Sequence, residues 1–501
     1  MHNSDLVEVL AALRKDERQR LLPYLELTEA IRSDVARQEA LRLTLFILDQ
    51  LETNETSNFS RETAYQRVFP DHPVIHNKLE KSMTDLLSLV RRFIATETAS
   101  RPMTDLQQQV YLQQFYNERG LADKFRQARN QMERIRTKHL EWSPQDYYFQ
   151  FRSEAEEYVF QADRNRKKDD LNLWNTVQAL DEYYLVERLW HTCVLLNQNQ
   201  LAPLALPPLR DWLPFDLHAP RLKWFFEKPL GQLFYQAIEL LSDEGGNDEQ
   251  KLRNFMALLT ENENKITAFY ISSFEIFACN YGIRRVNKGI PVYSELVFQL
   301  QKRRVESGRI YVDHKIKASE LHSIVVSGLR LGEYEWVEQF IQRHQNIILG
   351  AMISEGYYQF NLAYFLYHKK DYEPALKTLH TSTYEDMIYK FSSKTLEIKI
   401  LWAKSRLPGV DHWASEYLEN RVEAAIVFFF RGEGMQPDRK KLGKRFADAM
   451  KRIIHAVGHG SDRKRLEKIR DDVRKADLIA ERQWLLEILG ELLGERPASV
   501  A

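Results

Sequence analysis

Two stretches in the second half of the chain carry matching residues at a constant separation of 38 positions. The matched residues are Val325 with Ala363, Tyr334 with Tyr372, and Val337 with Ala375. Each stretch has room for two helices and a turn, and one such pair cannot bury its own apolar side, so neighbouring pairs stack. We therefore predict an all-α fold, in which antiparallel helix pairs form a right-handed α-solenoid behind a helical N-terminal domain.

The composition agrees with long helices. Glycine and proline number 19 and 16 in 501 residues, below their ordinary combined share of about 12%. A hydrophobic fraction of 44% and a charged fraction of 28% are typical of folded globular proteins and exclude wholesale disorder. Basic and acidic residues are equal at 71 each, so net charge gives no reason to expect nucleic acid or an anionic membrane as partner.

The second repeat carries the residues of a known two-helix motif. Asn361-Leu362-Ala363 is followed by Leu366, and Asp371-Tyr372 is followed by Ala375 and Leu379. This spacing resembles the tetratricopeptide repeat, in which small residues let the two helices of a pair approach closely. Departures are the period of 38 rather than about 34 residues, the valines at 325 and 337, and Trp402 in a weaker third unit.

The chain as a whole is similar to a family of uncharacterised bacterial proteins of similar length. The similarity lies in residues 68–71 and 81–87 near the front, 362–379 in the middle and 480–487 at the end. It implies a helical-repeat fold and carries over no catalytic residue.

Breaks in the helical pattern divide the chain into five predicted regions. Five prolines between residues 201 and 220 interrupt any helix or central strand. The aromatic residues among and after them indicate an ordered crossover. The regions are an N-terminal helical domain (1–100), helix pairs (101–200), the proline-rich crossover (201–230), tetratricopeptide-like repeats (231–457) and a C-terminal capping helix (461–491).

No motif for catalysis, a cofactor or a metal is recognised in the sequence. His455 and His459 have the spacing of metal ligands on a helix, but Gly458 and Gly460 favour a helix end there. Cys193 and Cys279 lie in apolar helical runs and are interpreted as core residues. We expect no cofactor, no metal and no enzymatic activity.

The one uneven charge distribution lies between residues 431 and 475, with fifteen basic and seven acidic residues. One helix there has an apolar stripe and a basic face, which is either a solvated surface or a weak candidate binding face for RNA, DNA or an acidic protein. The basic face consists of Lys440, Lys441, Lys444, Arg445, Lys451 and Arg452.

Three classes of function follow. The leading hypothesis is a non-enzymatic scaffold or adaptor that binds an unidentified protein or peptide, because extended helical arrays present binding surfaces. The alternative is a nucleic-acid-binding regulator that uses the basic C-terminal face, and a third class is an enzyme with an unrecognised site between helices. The N-terminus lacks a signal region and residues 189–209 are too polar and proline-rich to span a bilayer, so we expect a cytoplasmic protein without membrane association.

Overall fold

The computed structural model consists of two compact units, Met1–Met132 and Glu133–Ala501. The five regions predicted from the sequence divide the chain more finely than these two units, and they stay a prediction. The residues that the structure describes are 4–53, 60–70, 73, 75, 77–99, 104–138, 142–164, 171–201, 204, 206–243, 248–349, 354–384, 386–408, 412–431, 435–458 and 462–495. None of the helices in these ranges combines the length and the apolar character that crossing a bilayer requires.

The first unit is helical. Its core lies around α3 and α5, where Leu43, Ile47 and Val90 are fully buried. Ser60 caps α4, because its hydroxyl accepts the Thr63 N–H at 3.1 Å, as its position before a helical run predicts. The helices are α1 (Asp5–Ala12), α2 (Lys15–Leu27), α3 (Asp34–Thr53), α4 (Arg61–Val68), α5 (Lys78–Ala99), α6 (Asp105–Glu118) and α7 (Ala122–Lys138), whose last turns belong to the second unit.

The second unit opens with an aromatic-rich helical core. Phe234, Phe255 and Phe274 are fully buried there, and the described part of the proline-rich segment packs on this core through Phe225. The sequence predicted that this proline-rich segment is ordered, but it did not predict the two short helices within it. The helices are α8 (Pro144–Arg164), α9 (Leu173–Leu201), α10 (Leu209–Trp212), α11 (Lys223–Phe226), α12 (Pro229–Ser242), α13 (Glu249–Glu261), α14 (Ala268–Asn287) and α15 (Val292–Glu306).

A small three-stranded sheet follows α15, which the sequence does not predict. The strands are β1 (Tyr311–Val312), β2 (Lys315–Lys317) and β3 (Ile348–Leu349), with β2 antiparallel to β1 and parallel to β3. Asp313 and His314 form the two-residue turn with φ of 48° and 60°, the left-handed conformations of a type I′ hairpin. Strands this short leave no readable alternation, so the all-α prediction is confirmed with this one addition among the described residues.

The repeat region, between residues 318 and 431, contains six helices among the described residues. It consists of α16 (Ala318–Arg330), α17 (Tyr334–Arg343), α18 (Ser354–His368), α19 (Tyr372–His380), α20 (Met387–Ser405) and α21 (His412–Arg431). Each helix contacts the next along the chain, and α18 also contacts α16 and α20.

The 38-residue shift is confirmed in the turns of the two pairs. Gly332 and Lys370, which are 38 residues apart, both adopt left-handed conformations with φ of 76° and 65°. The N–H of the residue after each of them donates a hydrogen bond to the carbonyl five residues earlier, at the end of the first helix. This is the Schellman geometry of helix ends. These bonds run from Glu333 to Gly328 at 3.0 Å and from Asp371 to Leu366 at 2.9 Å. The α6–α7 turn has the same geometry, with Gly120 at φ 70° and a 2.8 Å bond from Leu121 to Tyr116.

Gly328 explains how the first pair tolerates valine at 337. A Cβ at Gly328 would lie 2.4 Å from Val337 Cγ2 and 3.1 Å from Phe298 Cε2. In the second pair the positions 38 residues later hold Leu366 and Ala375. The small residue has therefore moved from one helix of the pair to the other.

We expect Gly328→Ala to destabilise the wild type by about 1 kcal/mol, because overpacking costs more than the gain in helix propensity. In a Val337→Ala background the same change should be neutral or stabilising. Urea midpoints of the four proteins measure this sign change. Gly490→Ala in a C-terminal helix, where no atom lies within 3.4 Å of the new Cβ, is the control. An equal effect of Gly328→Ala in both backgrounds would refute the steric account.

The C-terminal region consists of α22 (Pro437–Gly458), α23 (Arg463–Lys475) and α24 (Arg482–Leu492). The prediction of one capping helix over residues 461–491 is therefore wrong. The backbone between α23 and α24 forms hydrogen bonds with α22. The Ala480 N–H donates to the Leu442 carbonyl at 3.2 Å, and the Leu478 carbonyl accepts from the Arg445 side chain at 3.2 Å. These tertiary bonds replace the intrahelical bonds that one continuous helix would need.

Candidate functional site

Three consecutive helices of the repeat region surround a polar cavity of about 570 Å³. This volume lies within the range of small-molecule and cofactor pockets, about 300–1,000 Å³. The lining residues come from the end of α19 and the turn after it (Leu379, His380, Ser382, Thr383, Tyr384), from α20 (Lys390, Ser393, Lys394, Glu397) and from α21 (Tyr417, Arg421, Phe428).

Local structure explains why these side chains converge. Lys390, Lys394 and Glu397 are four and three residues apart, which puts them on one face of α20. The turn after α19 presses against α18 at Gly356, where a Cβ would lie 2.3 Å from the Thr383 carbonyl oxygen. A glycine at this position lets the turn sit close to α18 and holds Tyr384 at the cavity.

Glu397 is the centre of the ion-pair network in this cavity. Its side chain is only 4% exposed, and Oε1 accepts hydrogen bonds from His380 Nε2 and Arg421 Nε, each at 2.7 Å. Oε2 accepts from Lys394 Nζ at 3.3 Å. Burial acts to raise the pKa of Glu397, but the His380 hydrogen bond and the charges of Lys394 and Arg421 outweigh it and lower the pKa. The carboxylate therefore stays ionised.

Two other polar groups of the cavity have no partner in the described part of the chain. Lys390 makes no ion pair with any described residue. The Tyr384 hydroxyl is buried and has no hydrogen-bond partner among the described residues, and the Ser382 hydroxyl donates instead to the Thr378 carbonyl at 2.8 Å. Burial raises the pKa of Tyr384 to about 12, so the phenol stays protonated and can donate.

The permanent charges of the described lining residues do not balance. Lys390, Lys394 and Arg421 oppose the single carboxylate of Glu397, which leaves a surplus of two positive charges. A cavity of similar size between α3 and α5 has Arg32 and Arg92 against two acids, Glu39 and Asp85. The imbalance therefore distinguishes the α19–α21 cavity, and its hydrogen-bond donors suit an anion.

The predicted basic face lies on α22 and is partly used within the fold. Lys451 pairs with Glu423 at 2.9 Å and Arg452 with Asp472 at 2.7 Å, while Arg445 donates to a backbone carbonyl. Lys444 Nζ lies 5.6 Å from the centre of the Phe430 ring. Lys440, Lys441 and Lys444 form no ion pair with a described residue. Whether this face binds anything stays a prediction.

The remaining sequence candidates provide no second site. Cys193 and Cys279 are buried, which confirms their interpretation as core residues, and burial raises the pKa of Cys279 to about 12. His459 lies outside the described residues. Within the described ranges no group of three or more His, Cys, Asp or Glu side chains is placed to hold a metal ion.

Sequence reasoning did not single out the cavity. The spacing of Lys390, Lys394 and Glu397 on α20 was a readable signal. His380 and Arg421 come from other helices, however, and only the tertiary structure brings them to Glu397.

Comparison of the chain with protein-family models, curated proteins and solved structures gave no match. The resemblance to tetratricopeptide repeats therefore stays a prediction.

Proposed function

We propose that this chain is a non-enzymatic cytoplasmic adaptor whose helix pairs stack into a solenoid and bind a partner protein or peptide. The observation that carries the proposal is the recurrence of one helix–turn–helix geometry at a 38-residue interval. The contacts of α18 with both α16 and α20 support stacking, because first helices of successive pairs touch in such arrays.

The cavity supports binding as the role of the array. Its donors are held in place by α18, α19, α20 and α21, and rigid elements preorganise a binding site. Among the described residues, the side-chain hydrogen bond of His380 goes to Glu397 and not to a hydroxyl or thiol. The His380–Glu397 pair therefore serves here to hold Glu397 and Arg421 rather than to activate a nucleophile.

Affinity purification of the tagged full-length chain tests the proposal. We expect one protein to co-purify in stoichiometric amount at mild salt and, once purified separately, to rebind the chain with a saturable isotherm. Failure to recover such a partner at any salt concentration would contradict the adaptor function.

A gel-shift series in rising salt tests the alternative on the same preparation. Nucleic-acid binding that weakens with salt and is lost when Lys440, Lys441 and Lys444 are all changed to glutamine would favour the basic C-terminal face.

A further inference from the structure

We propose that the cavity between α19, α20 and α21 binds a phosphate monoester carried by the partner peptide. This inference rests on the proposed adaptor function, because it names the group by which the partner is recognised. It starts from the surplus of positive charge around Glu397 and from Lys390 and the Tyr384 hydroxyl, which have no partner among the residues that the structure describes.

Charge selects the ligand class. Three permanent cations face one carboxylate among the described lining residues. A phosphate monoester carries about −1.5 to −2 charges at neutral pH, which matches the surplus of two. A carboxylate or a nucleic-acid phosphodiester carries only one negative charge and would leave one cation uncompensated.

The available donors suit three acceptor oxygens. Among the described residues Lys390 Nζ makes no ion pair, and Arg421 contacts Glu397 through Nε and Nη2 while its Nη1 makes no hydrogen bond. The Tyr384 hydroxyl adds a neutral donor. A phosphate provides three strong acceptor oxygens for such groups.

Glu397 has a positioning role in this arrangement. It holds Arg421, Lys394 and His380 at the cavity in the absence of a ligand. Because it compensates only one cation, it fixes the geometry and leaves the positive surplus for the ligand.

The test compares four full-length proteins: wild type, Lys390→Gln, Tyr384→Phe and the control Lys377→Gln. Lys377 is exposed on α19, outside the cavity. Lys390 makes no ion pair and the Tyr384 hydroxyl no hydrogen bond with any residue that the structure describes, so the first two substitutions should leave the unliganded protein folded. Circular dichroism and the melting temperature without phosphate check this.

The first measurement is the melting temperature in rising inorganic phosphate, with chloride keeping the ionic strength constant. Ligand binding to the folded state gives a saturable rise, whereas the general stabilisation by phosphate as a salt does not depend on one side chain. We expect Lys390→Gln and Tyr384→Phe each to weaken phosphate binding roughly tenfold, since each removes a hydrogen bond to a charged group. Lys377→Gln should change it less than twofold.

The second measurement distinguishes the sources of the anion. Calorimetry uses a glycine–serine peptide with one phosphoserine, the same peptide with glutamate in its place, and a single-stranded oligonucleotide. We expect the phosphoserine peptide to bind at least tenfold more tightly than the glutamate peptide, with the same dependence on Lys390 and Tyr384.

Three results would overturn the inference. They are an equal response to phosphate in all four proteins, equal binding of the glutamate peptide, and binding of the oligonucleotide that requires Lys390. All of these measurements are made without a partner protein. Failure of the phosphate site is therefore distinguishable from failure of the adaptor function, which the co-purification tests with the wild-type chain.

Discussion

Replacing Glu275 with glutamine is expected to lower the free energy of unfolding by about 3 kcal/mol, the lower end of the cost of breaking a buried ion pair. Glu275 lies fully buried on α14 and accepts two hydrogen bonds from Arg309, at 3.0 and 2.7 Å. Arg303 Nε lies 3.6 Å from the same carboxylate. A glutamine would place an uncharged amide beside the Arg309 guanidinium, whose side chain is only 12% exposed. Arg309 would still pair with Glu263, which limits the loss of stability.

Urea unfolding of the full-length chain, followed by circular dichroism, measures the effect as a lower midpoint. The matched control is Glu295→Gln on α15, because Glu295 is exposed and should change stability by less than about 0.5 kcal/mol. The double variant with Arg309→Gln should lose less than the sum of the two single changes. Strict additivity, or a Glu275→Gln protein as stable as the control, would show that the pair does not stabilise this region.

Acidification from pH 6.5 to 4 is expected to destabilise the wild type, with His368 contributing about 2 kcal/mol after allowance for its partial exposure. The pKa of His368 is lowered to about 4, and burial is the main cause. The nearby charge of Lys399 also lowers the pKa, by more than the charge of Glu481 raises it. Its Nε2 is buried without a hydrogen-bond partner among the described residues. Between the two pKa values the unfolded state binds a proton that the folded state does not, so stability falls as the pH falls.

The measurement is the difference in urea midpoint between pH 7 and pH 4.5 for wild type and His368→Phe. The phenylalanine keeps a ring beside Tyr364, whose ring centre is 4.8 Å from that of His368, and removes the titrating group. The variant should therefore lose less stability on acidification. His191→Gln is the control, because the His191 side chain is 70% exposed. Identical pH dependence of wild type and His368→Phe would contradict this account. His322 and His344, whose pKa values burial also lowers, contribute equally to both proteins.

Much of the helical structure follows from local sequence signals. Helix α6 ends just before Gly120, and the Ser60 cap lies where a polar residue precedes a helical run. Such signals are readable because helix periodicity, caps and glycine stops act over a few residues. The three short strands escaped prediction because two or three residues leave no alternation to read. The break between α23 and α24 escaped it because its hydrogen bonds to α22 join residues far apart in the sequence.

The candidate site follows the same division. The charge distribution of the sequence predicted the basic face on α22. In the structure, however, Lys451 and Arg452 form ion pairs with Glu423 and Asp472. The α19–α21 cavity has no concentration of charge in the sequence. Its Lys390, Lys394 and Arg421 come from two helices, and only the burial of Glu397 beside them marks a site.

The amino-acid sequence by itself determined that this protein is helical, and it set the 38-residue interval of two helix pairs, since periodicity and helix ends depend on neighbouring residues. Tertiary structure alone decided that Gly328 makes room for Val337, that α22 accepts the segment before α24, and that His380 and Arg421 meet at Glu397. These outcomes depend on close approach and burial, which the order of residues does not reveal until the helices pack against one another.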